Sequence, residues 1–229
     1  MYCGLGLNTS KANNKDFLDL RGNHREMKLD GQWKFTWNRL TNDPSVLSNI
    51  SKTIWFPEFW IDSVGAATYS IRFLIDNDKD WALQFPPAYS AYRAYLNGEL
   101  ISQSGVVAKT KELYEPKWVH STVSISKEQL SDTNQLVLQV ANFDHYKGGP
   151  TNSIIIGPSE WMHKKHTLVE SLDIFLSGAM VMGGMFFLGM FLYGRQQKNI
   201  LYFSLLCISF SYYVIGSGNH ALHSLFSEL

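Results

Sequence analysis

The stretch FDHYKGGP, residues 143–150, sets a carboxylate, an imidazole, a phenol and an ammonium side by side, followed by two glycines and a proline. Groups of these types can move protons, hold a metal or bind a polyhydroxylated ligand, and the types alone do not separate those uses. Gly148, Gly149 and Pro150 end a strand and supply backbone freedom. If the preceding strand ends near Asn142, then Asn142, Asp144, His145 and Tyr146 emerge together at a rim, where loops on a rigid scaffold collect binding residues. Amide and carboxylate groups bond hydroxyls while an aromatic face covers the apolar side of a sugar ring. The competing reading is structural: Asp144 and His145 close the corner and Tyr146 plugs it, because loop ends must satisfy their own backbone groups. Trp60, behind Pro57 in a loop-like stretch, is the candidate aromatic platform, whereas Trp33 and one neighbour belong to a core. Arg72 and Arg93 alternate with apolar residues and therefore face outward, which favours solvated arginines over anion clamps.

Other chemistry is excluded more readily. Asp30, Glu58, Asp62 and Asp144 offer carboxylates, but a glycosidase pair is defined by separation in space, so no catalytic residue is assigned and an enzyme is not expected. His163 and His166, like His220 and His223, lie three apart, a spacing that suits metal ligands on a helix, yet a zinc site needs more than two. No metal or cofactor is expected. Gly4-x-Gly6 lacks the third glycine and the preceding strand of a dinucleotide loop. The two cysteines, Cys3 and Cys207, build neither a disulfide framework nor a zinc site. MYCGLGL lacks the basic and long apolar regions of a signal peptide. Lys plus Arg equal Asp plus Glu at 20 each, and no basic stripe is interleaved with aromatics, so nucleic acid is not a partner.

The elements that must position these residues are short strands. YSIRFLI puts Tyr69, Ile71, Phe73 and Ile75 on one face, and VHSTVSI does the same with Val119, Val123 and Ile125. Asn97-Gly98 sits between two apolar segments and accepts the positive φ of a tight hairpin. With QWKFTW, WALQF, QLVLQVA and SIII these make about eight strands and an all-β sandwich or jelly roll. Past residue 173 the rules change. Ile174 to Gly194 has no ionisable acid or base except Tyr193, and as a helix it is about 30 Å long, a bilayer core. A second run, Ile200 to Gly218, completes a transmembrane hairpin. Gly178 with Gly189, and Ala179 with Gly183, are expected packing surfaces for helix partners in the membrane. Flanking Lys and Arg residues do not decide the orientation.

LDGQWKFTW (29–37), PEFW (57–60), GAATYSIRF (65–73), AYRAYLNGELISQSG (91–105) and VANFDHYKGG (140–149) together resemble the extracellular jelly-roll domain of the bacterial 7TMR-DISM receptors. That domain is similar to the galactose-binding-like, sugar-binding module of family 2 glycoside hydrolases. Residues 166–218 look like the first two helices of the seven-helix unit, so the resemblance runs from about Asp19 to the end. It implies a tail (1–18), an extracytoplasmic sensor domain (19–161), a juxtamembrane linker (162–173), spans at 174–194 and 200–218 around a short loop (195–199), and the start of another loop (219–229). It further implies a multi-pass receptor of the inner membrane, a small ligand such as a carbohydrate, and five more helices with a kinase or cyclase output domain beyond these 229 residues. The alternatives are a membrane-anchored module that docks protein, and a membrane-bound glycosidase.

Overall fold

The computed structural model describes residues 8–9, 17–43, 46–47, 51–61, 63–86, 90–117, 121–150, 152–194 and 197–217. Asp62, Val119, His220, His223 and the residues of the N-terminal tail singled out above lie outside them. Two compact units divide the chain, Met1–Met162 and His163–Leu229.

The first unit is built of strands: β1 (Asn8–Thr9), β2 (Leu18–Asp19), β3 (Met27–Lys28), β4 (Gly31–Trp37), β5 (Lys52–Phe56), β6 (Trp60–Ile61), β7 (Gly65–Leu74), β8 (Trp81–Phe85), β9 (Ala91–Leu96), β10 (Glu99–Ser104), β11 (Ser121–Ile125), β12 (Asn134–Asn142), β13 (Lys147–Gly148) and β14 (Ile155–Pro158). The larger sheet runs β10-β9-β12-β7-β4-β5, with β2 also paired to β7; the smaller runs β1-β3-β14-β8-β11; β13 and β6 form a separate ribbon. Alternation explains why two sheets face each other. Trp33, Tyr69, Phe73, Leu96 and Leu138 of the larger sheet and Met27, Trp81, Leu83, Phe85 and Ile156 of the smaller share one buried core. Each such side chain, fully removed from water, contributes about 1.5–3 kcal/mol. The all-β sandwich expected from the alternation is the observed architecture.

Local chemistry sets the corners. Asn97 and Gly98 take φ of 51° and 89° and turn β9 into β10, as their types require. Asn97 also accepts the Gln135 N–H on Oδ1 and donates from Nδ2 to Asn134, tying the hairpin to β12. Strand β5 was not anticipated: as an edge strand it carries the mixed pattern KTIWF with little alternation in its burial.

The second unit consists of the greater part of α1 (Ser159–Gly194) with α2 (Lys198–Ser217). Residues 162–173, assigned to a linker by sequence, are helical and continuous with the apolar run. Among the described residues one helix, α1, is long and apolar enough to cross a membrane; its apolar window has a mean hydropathy of 1.9 and is 11% buried. The two helices meet through small residues. Ser177 and Ser211 hydroxyls are 2.7 Å apart, and a Cβ on Gly184 would lie 2.8 Å from Ile208 Cγ1. At Gly178, Gly183 and Gly189 an added Cβ would meet nothing within 4 Å. The seam within this helix pair is thus built on Ser177 and Gly184, while Gly178, Gly183 and Gly189, expected to pack against partner helices, take no part in it.

Candidate functional site

The larger sheet ends where β4 and β12 finish and β7 and β9 begin, as the pairs Trp37↔Ala67, Asn142↔Gly65 and Ala141↔Ala91 show. The turn after β12, the β6–β13 ribbon and the segment around Tyr114 come together here. All five residues singled out by sequence lie at this end, and they fall into two groups.

Asn142 and Trp60 are internal. Asn142 is fully buried; its Nδ2 donates to His145 O at 2.7 Å and its Oδ1 accepts the His145 N–H at 3.1 Å, closing the turn. Trp60, offered above as a ligand platform, is only 8% exposed, and its Nε1 donates to Tyr69 Oη at 2.6 Å. Trp37 stands edge-on to its indole at 4.7 Å between centroids. The other side is covered by the double glycine. A Cβ on Gly148 would lie 2.5 Å from Asn142 Nδ2 and 2.8 Å from Trp60 Cε3, and Gly149 has φ +83° with Trp60 Nε1 2.9 Å from where its Cβ would stand. Only glycine lets the backbone pass this close. The pair Gly148-Gly149 is therefore more than a strand stop: Gly148 pairs with Trp60 and shuts the indole in.

Asp144, His145 and Tyr146 are external. Asp144 Oδ1 pairs with Lys111 Nζ at 2.9 Å, both side chains being more than a third exposed. Such a surface pair adds about 0–1 kcal/mol to stability, so it is not what holds the loop. Tyr146 is 61% exposed. Beneath them Tyr114 is buried edge-on to Phe143, its hydroxyl beside the Phe143 backbone without completing a hydrogen bond of good geometry. Burial first, and then the Asp144 carboxylate, push its phenol up to about 12.

Three residues of this end escaped the sequence reading. Lys111 and Tyr114 come from a distant segment, and no local pattern announces them. Phe59 did carry a signal: in FW one ring must face in and the other out, and the structure turns Trp60 in and leaves Phe59 at the surface, with Lys147 Nζ 5.4 Å from its ring centroid. The accessible aromatics are thus Trp37, Phe59 and Tyr146. Of the other candidate carboxylates among the described residues, Glu58 directly precedes Phe59 and Trp60 at this end, whereas Asp30 precedes the opposite end of β4, about 20 Å of strand away from Trp37. Among the described residues no group of three or more His, Cys, Asp or Glu could hold a metal ion.

No protein-family model matches the chain, and no curated protein matches it. Among solved structures, a putative beta-galactosidase from Bacteroides fragilis is similar at 15% identity and a TM-score of 0.45, over 58% of this chain and 23% of that one. A Bacteroides uniformis beta-glucuronidase 2, covalently bound to cyclophellitol-6-carboxylate aziridine, is similar at 16% identity and a TM-score of 0.48, over 58% and 17%. A glycosyl hydrolase family 2 member from Bacteroides cellulosilyticus gives 16% and 0.47, over 58% and 20%. The chain spans less than a quarter of the length of these structures, and no residue's role follows from likenesses of this degree.

Proposed function

We propose that the β unit is a non-catalytic, extracytoplasmic binding module of the jelly-roll kind, held at a membrane by the helices, and that it takes a small polyhydroxylated ligand at the loop end of the larger sheet. One observation carries the reading. Asn142 and Trp60 lock the 143–149 loop from inside, while Asp144, Lys111, Tyr146, Phe59 and Lys147 present hydrogen-bonding groups and aromatic faces on its outside. A locked loop lowers the ordering cost of binding. The sequence resemblance to 7TMR-DISM receptors supports the further step, in which ligand binding biases the packing of membrane helices and so reaches an output domain. Ligand can shift such an equilibrium only by its differential affinity for the two states.

A panel of free monosaccharides, galactose first, titrated into the full chain in detergent tests the site. Asp144→Ala and Tyr146→Ala are each expected to weaken binding about tenfold, the scale of a lost hydrogen bond to a charged group or of a stacked ring, without moving the unfolding midpoint. Unchanged affinity in both variants removes the site. A second reading has one observation in its favour: Trp55, Phe59, Ile61 and Val64 are exposed within ten residues of sequence, which suits a protein-docking patch. Wild-type protein that binds no sugar of the panel, with a partner lost on Phe59→Ser, would favour docking.

A further inference from the structure

The outer face of the larger sheet, turned away from the core, carries a polar row one or two residues in from the loop end, made of residues the loop-end site does not use. Register fixes it. Gln103 of β10 stands opposite Arg93 of β9, Arg93 opposite Gln139 of β12, Gln139 opposite Thr68 of β7, and Thr68 opposite Thr36 of β4. Parity puts all five outward, since Tyr92, Leu138, Tyr69 and Phe35 beside them belong to the core. Five neighbouring strands at about 4.8 Å spacing make a row about 19 Å long.

Two features set this row apart from an ordinary solvated sheet face. The first is its sign. Among the outward positions of β4, β7, β9 and β12 the charged residues are Lys34, Arg72 and Arg93, and none is Asp or Glu, in a chain with equal numbers of basic and acidic residues. The second is unspent hydrogen-bonding capacity below the surface. Gln139 is 5% exposed and Thr36 is 8% exposed; Thr36 Oγ1 has no partner among the described residues, and the Gln139 side chain and half-buried Arg93 make no hydrogen bond or ion pair among them either. Thr68, by contrast, is satisfied by donating to Arg39 O at 2.6 Å. Buried polar groups are ordinarily paired, and a guanidinium is ordinarily matched by an oxyanion in a two-pronged geometry.

We infer that the Gln103–Arg93–Gln139 stretch of this row is a binding site for an oxyanion-bearing polyol, a sugar acid or a sugar phosphate, with Arg93 taking the anion and the Gln139 amide a neighbouring hydroxyl or carbonyl. The site shares no residue with the loop-end reading, and the two fail separately. Calorimetric titration of the full chain in detergent with galacturonate and with glucose 6-phosphate, and with glucose as the uncharged control, tests it. At least one anion is expected to bind and glucose at least about tenfold more weakly, the difference a charge-assisted hydrogen bond makes. Arg93→Gln should remove that preference. Gln103→Glu, at an exposed position paired with Arg93, gives up the bond from Gln103 Nε2 to Gly105 O and leaves a carboxylate free to turn to the guanidinium, which should do the same without disturbing the core. Glucose binding as tightly as either anion overturns the site. So does anion affinity unchanged in Gln103→Glu, or the absence of binding by both anions at millimolar concentration.

Discussion

Trp33 and Met182 are both large apolar side chains, and the two units treat them oppositely: the first is fully buried, the second 75% exposed. In the β unit, indoles and phenyl rings stack inside, Trp33 on Phe56 at 4.1 Å, while charges line the outside. In the helical unit Phe175, Met182, Phe186 and Leu192 point outward, and the seam between the helices holds Ser177, Ser204 and Ser211, all nearly inaccessible. Water on the outside favours the first arrangement and penalises the second; a lipid surround removes the penalty and leaves small residues to bring helices close. The contrast is what the proposed membrane anchoring of the helical unit predicts: one chain written for two solvents.

The comparison can be broken at several points. Trp33→Ala should remove about 3–5 kcal/mol from the β unit, since it loses the stack on Phe56 and the hydrogen bond from Nε1 to Leu29 O. All seven tryptophans lie before His163, six of them ahead of α1, so fluorescence-monitored urea unfolding reads chiefly this unit. A loss below 1 kcal/mol would mean that the core is not where the structure puts it.

Alkali should act next. Burial raises the phenol pKa of Tyr69 and Tyr92 and, with Asp144, takes Tyr114 up to about 12. The folded state therefore holds these protons more tightly than the unfolded one. The stability they contribute is complete below the unfolded value of about 10 and is lost as pH rises through the folded values. The urea midpoint should be level from pH 8 to 9 and fall above 10; a midpoint that rises there contradicts the burial.

The smallest effect belongs to the other solvent. Met182→Ala in detergent should change helix-unit stability by no more than about 0.5 kcal/mol, followed by the helical circular dichroism signal during thermal unfolding. A loss of several kcal/mol would show that this face is packed against protein.

Much of the β unit was legible in short windows. Alternation in YSIRFLI named a core face, WALQF and QLVLQVA were legible as strands, and Asn97-Gly98 named its hairpin, because these signals are set by neighbours one or two residues away. The loop end was legible as a place but not as a set of roles. Asn142 proved to be the brace of its own turn and Trp60 a buried plug, whereas Phe59, one residue earlier, reached the surface. A one-residue change of parity inverts inside and outside, and an irregular stretch such as PEFW carries no repeat from which to set it.

By itself the sequence determined the division into a strand-built unit and an apolar helical one, since each rests on hydrophobic periodicity that any short window contains. Only the tertiary structure decided that Lys111 meets Asp144, that Gly148 and Gly149 close over Trp60, and that Arg93 stands in line with Gln139 and Thr36. These depend on strand register and loop path, which join residues tens of positions apart and are fixed by the packing of the whole core.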